Sequence, residues 1–348
     1  LRNIALDNFD ALRKILILSG FLAKLGIKHP SNRETAVNLI IDYLRNPQKY
    51  QKKMKGKIPY YLRGQAIVNL RNAYKKEVFE SVMDFILLDE NLQLIYSSQE
   101  LRNRVITFVT TNSDQLYKEW KRLLLLFTTD IGNKIELNTL LRMVSSQKIL
   151  LFLDLSEQSA EDVFWNEKLQ AVILNEVINT LQKIGNIKFK QRDQLNTLVV
   201  IDEAHRFAPR ERQEDEEMEA LRMNFVDAVR TTRKYGLGWM FISQTIASLH
   251  PELINQMRVY FFGYGLSWGL ELRTLKELVG GGADNNYLAL YQSFKDPQSS
   301  AVLGEKEYPF MVFGPISPLS VSGSPLFITA LDYNSEFIKV NNLKTSTT

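Results

Sequence analysis

Two adjacent carboxylates at the end of an apolar run are the residues of this chain best suited to chemistry. Residues 197–206 read Thr-Leu-Val-Val-Ile-Asp-Glu-Ala-His-Arg, so Leu198 to Ile201 lead straight into Asp202 and Glu203. Neighbouring side chains on an extended chain point in different directions, which lets each carboxylate act separately. Asp202 can hold the hydration shell of a magnesium ion, while Glu203 can orient and polarise a water for attack on a γ-phosphate. Farther along, Gln244 follows the apolar run 238–243, and Arg230 and Arg233 close the amphipathic stretch before it. A polar side chain beside the carboxylates can sense a γ-phosphate, and a guanidinium can neutralise the charge that grows on a transferring phosphoryl group. Arg233 suits that finger role first and Arg230 second, although either also suits plain complementation of a helix carboxyl end.

The element that must position the carboxylates is a strand. A run of aliphatics fits a parallel strand buried on both faces, and open α/β sheets bind ligands at the carboxyl ends of their strands. In nucleotide hydrolases that place is the Walker B site; the plain alternative is a core strand that runs into an acidic loop. From residue 148 onward the texture supports the first reading, with strand candidates at 148–155, 197–202, 238–243 and 258–263 and amphipathic helices over 161–184 and 214–234. Such alternation argues for an α/β fold with a mainly parallel sheet. The helix over 214–234 opens on acidic residues and closes on Arg230, Arg233 and Lys234 ahead of Gly236, which matches the helix dipole and supplies a cap. Short strands are expected at 301–303 and 310–313, and the tail, rich in Ser, Pro and Asn, is weakly specified. Residues 1–145 carry apolar side chains at three- and four-residue spacing over 10–25, 33–44, 65–88 and 113–127, the pattern of a helical region.

Composition narrows the classes. With 348 residues, 45% of them hydrophobic and 11% aromatic, the chain has the material for a sizeable packed core. The absence of cysteine rules out disulfides and thiolate zinc sites and fits a reducing cytoplasm. The three histidines, His29, His205 and His250, are far apart in sequence, against a histidine-rich metal site. No apolar run approaches the roughly 18 residues of a membrane span, so no membrane association is expected. A net charge of +4 is mild, and nucleic-acid binding has to come from local clustering. One cluster lies within 48–76, where Lys49, Lys52, Lys53, Lys55, Lys57, Arg63, Arg71, Lys75 and Lys76 occur without an acidic residue and Tyr50, Tyr60, Tyr61 and Tyr74 are interleaved. Such a patch, with Lys52, Lys53, Lys55, Lys57 and Arg63 foremost, can follow a phosphate backbone; a solvated helix face or loop is the other reading. Loop residues after the core strands, His250 and Gly280 to Gly282 among them, are alternative DNA-facing positions.

The segments VVIDEAHRFAP (199–209) and RTTRKYGLGWMFISQT (230–245), followed by a strand beginning near 255–258, resemble the HerA family of hexameric DNA-translocating ATPases. The resemblance covers roughly residues 148–315. It implies a RecA-like P-loop NTPase core over 146–315, an inserted helical bundle over 1–145 and a carboxyl-terminal extension over 316–348. It further implies ATP and Mg2+ as cofactors, with Asp202 for magnesium, Glu203 for water activation, Gln244 as sensor and Arg233 as a finger acting on a neighbouring subunit. The assembly implied is a homo-hexamer threading double-stranded DNA, coupled to a partner nuclease or, in antiviral systems, to an NAD-degrading effector.

One departure matters. No G-x-x-x-x-G-K-[ST] occurs: Gly56-Lys57 is followed by Ile58, and Gly304 by Glu305. That motif supplies the backbone amides and lysine that cradle phosphates. In HerA-like proteins it precedes the helical insertion, so it is expected upstream of Leu1. Three rival readings remain. Asp-Glu-Ala-His also spells a motif of superfamily-two helicases, with an echo of their later motif in Ser243-Gln244-Thr245, but the second RecA-like domain and arginine-rich motif those enzymes need do not follow. A ring-forming scaffold with little or no ATPase activity, and an ATPase of conjugation or type IV secretion, share enough of the core to stand as alternatives.

Overall fold

Apolar side chains spaced three and four residues apart fold into a succession of helices, and the runs of aliphatics fold into strands. The computed structural model describes residues 4–132, 134–147, 149–156, 166–279, 285–296, 308–318 and 324–330. The chain forms two compact units, Leu1–Val199 with Gln213–Gly238 and Val200–Arg212 with Trp239–Thr348.

The first unit begins with β1 (Ile4–Ala5), α1 (Phe9–Leu18), α2 (Phe21–Lys24), α3 (Pro30–Arg45), α4 (Ala66–Asn72), α5 (Lys76–Ile86), α6 (Asp89–Ile95), α7 (Gln99–Thr111) and α8 (Ser113–Leu124). It continues through β2 (Ile135–Glu136), α9 (Leu137–Gln147) and α10 (Glu167–Lys190). Next come β3 (Thr197–Ile201), of which residues through Val199 belong to this unit, α11 (Glu216–Thr231), and β4 (Leu237–Phe241), of which residues through Gly238 belong to it. The helix expected over 10–25 is broken into α1 and α2 at Gly20, whose φ of 75° is left-handed. β1 and β2 pair in parallel, a contact that closes the helical region on itself.

The core of this unit is aromatic. Trp120 is fully buried, donates its Nε1–H to the carbonyl of Ala73 at 2.6 Å, and lies 5.6 Å from the ring of Phe21 and 5.9 Å from that of Phe79. Trp120→Ala removes the largest buried side chain of the core and leaves the Ala73 carbonyl without its donor. A loss of about 3–5 kcal/mol is expected, read as a lower urea midpoint. Trp120→Phe should recover most of the packing but not the hydrogen bond, and a midpoint no higher than that of the alanine variant would show that the ring volume is not what matters there.

A second buried group ties α1 to α10. Asn8 caps α1 by accepting from the amide of Ala11 through Oδ1 at 2.7 Å, and its Nδ2 donates to Glu176 Oε2 at 2.5 Å. Burial raises the Glu176 carboxyl above its ordinary value of 4.5, only partly opposed by the Asn8 hydrogen bond and by Lys14 and Lys183. An acid with a raised folded-state pKa is ionised more readily in the unfolded chain. Its stabilising contribution is complete below the unfolded pKa and is lost as pH rises through the folded one. Glu176→Gln keeps an acceptor for Asn8 and removes the charge. It should melt at or above the parent temperature near pH 7, with the gain vanishing below about pH 4; a lower melting temperature at pH 7 would refute this.

In the later part of the unit α11 lies within the helix expected over 214–234, whereas α10 runs to Lys190, six residues past the end expected for 161–184. Asn166 caps α10 by accepting from the Leu169 amide at 2.9 Å, and residues 161–165 lie outside the described residues. α11 passes through a 3₁₀ turn, Thr232–Tyr235, to Gly236. Gly236 has φ of 76°, and a Cβ there would sit 3.0 Å from Gln194 Cβ and 3.1 Å from the Asn196 amide nitrogen. The expected glycine cap is therefore both conformational and steric.

Three expectations are corrected. Residues 149–155 form no strand, because no neighbour within the described residues supplies a ladder; Leu150 and Phe152 stay 80% and 83% exposed. Lys148 lies outside the described residues. β3 and β4 form where expected, and their hydrogen bonds climb both chains together, from Thr197 N to Gly236 O and from Ile242 N to Ile201 O. β3 is not buried on both faces, however. Leu198, Val200, Met240 and Ile242 are exposed, since among the described residues this sheet has two strands and a cover on one side only. Finally, the sheet is not one mainly parallel layer. The larger ladder is antiparallel, β5 (Tyr260–Phe262), β6 (Tyr308–Phe313) and β7 (Leu326–Ala330) in that order.

That ladder belongs to the second unit together with α12 (Pro251–Gln256), α13 (Gly269–Val279) and α14 (Asn285–Gln292). The strands expected at 258–263 and 310–313 are present as β5 and the end of β6, while 301–303 lies outside the described residues. Phe262, Leu275, Val279, Tyr291 and Met311 make its core. The Tyr291 hydroxyl donates to Gly263 O at 2.6 Å and accepts from the Leu266 amide at 3.1 Å, fastening α14 to the loop after β5. No helix among the described residues is long and apolar enough to cross a membrane.

Candidate functional site

β3 and β4 end side by side, and the residues that follow them make the site. Ile242 N donates to Ile201 O at 2.9 Å, and Ala204 N donates to Ile242 O at 3.0 Å. The chain after β3 thus stays pinned to the chain after β4, with Asp202 and Glu203 held between two backbone bonds. Asp202 Oδ1 accepts from the Glu203 amide at 2.9 Å, which turns the chain. Glu203 takes φ 50° and ψ 43°, a left-handed conformation that a residue with a Cβ seldom adopts. A 3₁₀ turn, Ala204–Arg206, follows and brings His205 to Ser243.

Gln244 is joined to Glu203. Its Nε2 donates to Glu203 Oε1 at 2.6 Å. The other carboxylate oxygen, Oε2, is buried and has no hydrogen-bond partner among the described residues; His205 Nδ1 stands 3.4 Å away. Asp202 is exposed beside them. The loop behind Gln244 is fixed by α13, where Glu271 Oε2 accepts from the amides of Ile246 and Ala247 at 2.8 and 3.2 Å. Arg210 N to Ser248 O and His250 N to Ala208 O, at 2.7 and 2.9 Å, tie the two site loops together farther out. Glu203 and Gln244 are therefore built on backbone that is restrained from three sides.

Three of the residues singled out from the sequence, Asp202, Glu203 and Gln244, come together in this way. Arg230 and Arg233 belong to the first unit. Arg230 is engaged with Asp227 on its own helix at 3.0 Å, the plain reading for that residue. Arg233 is exposed and has no hydrogen-bond or ion-pair partner among the described residues. His205 and Ser243 carried no role in the sequence reading. The signal was present in Asp-Glu-Ala-His and in Ser243-Gln244-Thr245, but only the strand register sets one against the other.

The donor set fits a magnesium ion carried on a nucleotide. No group of three or more His, Cys, Asp or Glu side chains converges among the described residues, which disfavours a metal caged by protein. Mg2+ dehydrates reluctantly and is held through one or two carboxylates and its own waters, with substrate phosphates completing the shell. An exposed Asp202 next to a fixed Glu203 meets that need.

In the basic stretch, the structure separates two kinds of residue. Lys49 pairs with Asp42 at 2.8 Å, Lys53 with Glu90 at 3.0 Å and Lys76 with Asp114 at 3.1 Å, Arg71 pairs with Glu136, and Lys75 lies over the ring of Tyr61 at 4.1 Å. Lys52, Lys55 and Lys57 are exposed without an ion pair among the described residues, and Arg63 reaches only the Ile58 carbonyl, at 3.5 Å.

Residues 135–261 match the family model described as zonular occludens toxin (Zot), a P-loop-NTPase-like domain related to the FtsK- and HerA-type ATPases. The match takes in β3, β4, the carboxylates, Gln244 and both arginines, and omits most of the helical region. No curated protein matches the chain. The similarity supports nucleotide binding by an NTPase-type domain, which the mixed α/β architecture and the carboxylate pair at the end of β3 accommodate.

Proposed function

We propose that this chain is the hydrolytic part of a ring-shaped, ATP-driven motor that translocates double-stranded DNA, of the HerA type. The observation that carries the reading is the Gln244 amide seated on Glu203 beside Asp202, at the paired ends of β3 and β4, inside the segment similar to Zot. Asp202 would hold the waters of Mg2+, and bound there the ion would offset charge on the β- and γ-phosphates. Glu203 would orient the attacking water and receive its proton. Gln244 would leave Glu203 for the γ-phosphate when nucleotide arrives, so that sensing and freeing the base are one event. Arg233, exposed and without an ion pair among the described residues, would reach the phosphates of an adjacent subunit in a homo-hexamer.

Within 48–76, Lys52, Lys55, Lys57 and Arg63 would be offered to a DNA backbone, with Lys53 set against Glu90. A partner nuclease or NAD-degrading effector would draw on the motor's translocation. The second reading is a ring-forming scaffold with nucleotide bound structurally or not at all. Turnover of ATP by the full-length protein decides between them. Magnesium-dependent hydrolysis that duplex DNA accelerates is expected; no magnesium-dependent nucleotide binding would leave the scaffold.

A further inference from the structure

Ser243 determines which nitrogen of His205 faces the site. Its hydroxyl lies 2.7 Å from the carbonyl oxygen of Thr245, a pure acceptor, and so spends its single proton there. Its lone pairs then face the Thr245 amide at 3.3 Å and His205 Nδ1 at 3.1 Å. Toward His205 it can only accept. Nδ1 therefore carries a hydrogen, whether or not Nε2 does. That same Nδ1 stands 3.4 Å from Glu203 Oε2, the carboxylate oxygen that is buried and lacks a hydrogen bond among the described residues, while Oε1 is taken by Gln244 at 2.6 Å. A buried carboxylate oxygen without a donor is costly, and His205 is the donor in reach.

We infer that His205 is a positioning residue for Glu203: its Nδ1–H, aimed by Ser243, is shared with Glu203 Oε2 and fixes the plane of the carboxylate so that Oε1 is the oxygen presented to water once Gln244 departs. The inference rests on the proposed role of Glu203 as the water-orienting base. It assigns Ser243 the part of setting the tautomer, and it gives the left-handed turn at Glu203 a purpose, since that turn brings residue 205 back over the carboxylate two positions earlier.

The test begins with the imidazole nitrogens of the full-length protein labelled with 15N-histidine. The signal that disappears in His205→Asn assigns the one in question. His250 is an internal reference of opposite form, because its Nδ1 accepts from the Glu252 amide at 3.1 Å and carries no hydrogen there. His205 is expected to show hydrogen on Nδ1, and that nitrogen should shift in Glu203→Gln and lose its bias in Ser243→Ala. A bare Nδ1, or no response to Glu203→Gln, overturns the inference whether or not the protein hydrolyses ATP.

Kinetics provide the second arm. Asparagine places an amide N–H where Nδ1 stands, and glutamine places one near Nε2. His205→Asn should keep kcat within about threefold, whereas His205→Gln should lower kcat by roughly 10–100-fold with KM for ATP little changed, the scale of partners that orient a catalytic ligand. Equal losses in both variants, tracking a fall in melting temperature, would mark a ring that merely fills space and would defeat the inference. Absence of turnover in the parent protein would instead strike the ATPase reading, and the nitrogen spectra would still decide the His205–Glu203 contact.

Discussion

Glu203→Gln is expected to cut ATP turnover by roughly 10²–10⁴-fold while leaving nucleotide affinity within about twofold, because the amide retains shape and loses only the capacity to take a proton. The site geometry sharpens the expectation. Gln244 Nε2 donates to Glu203 Oε1 at 2.6 Å, and a glutamine at 203 can turn its own oxygen to preserve that bond. Its NH2 would then face His205 Nδ1, a second donor, where the parent residue presents Oε2. The variant should therefore keep Gln244 seated and loosen His205, so the nucleotide-free loop survives while the chemical step fails. Steady-state hydrolysis measured beside binding of a fluorescent nucleotide separates the two effects. Turnover within tenfold of the parent would remove Glu203 from the mechanism, and lost binding would show a folding defect instead.

On the proposed reading, the same arrangement would restrain idling. With Oε1 held by the Gln244 amide and Oε2 facing the His205 imidazole, Glu203 would not be free to activate a stray water. Its release would need a competing acceptor for Gln244, and a γ-phosphate would be one. The energetic scale is modest, since a hydrogen bond to a charged group is worth about 1.5–3 kcal/mol net, enough to bias a two-state side chain by a factor of ten or more without resisting a bound nucleotide.

What the sequence revealed, and what it hid, divides along physical lines. β3 and β4 were legible because aliphatic runs that end abruptly in polar residues have few other folds, and the cap at Gly236 was legible because a glycine after a basic helix end has a specific conformational use. α7 was missed because its buried face is thin, with Arg102, Val105 and Val109 inside and the rest wet. The stretch 149–155 misled for the opposite reason: a near-continuous apolar run records a capacity for pairing but not whether a partner is at hand. The tail strand β7 gains its structure from five residue pairings with β6, a long-range fact no local pattern contains. At the site, Asp202, Glu203 and Gln244 could be named from their types. His205 and Ser243 could not be set against each other, since that requires the register by which Ala204 N meets Ile242 O.

Arg233→Ala tests the remaining step of the reading, that hydrolysis is completed across a subunit interface. Arg233 follows α11 on a 3₁₀ turn, exposed, whereas Arg230 spends its guanidinium on Asp227 at 3.0 Å. Only the former is available to a phosphate without first breaking an ion pair. Loss of an arginine finger is expected to depress turnover by about 10³-fold or more, with nucleotide binding retained, because the guanidinium acts on charge that develops only in the transition state. Arg230→Ala should cost less than tenfold. The decisive measurement mixes Arg233→Ala with Glu203→Gln subunits, each inactive alone. If the finger works in trans, an interface that joins the intact Glu203 of one subunit to the intact Arg233 of its neighbour is whole, and random mixing at equal amounts makes about a quarter of interfaces so. Activity should rise well above either parent variant and toward that fraction, falling short if neighbouring sites fire in concert. Mixtures that stay as inactive as their components would place the arginine within one subunit or outside the chemistry, and with it would go the argument that this site needs a second copy of the chain to be complete.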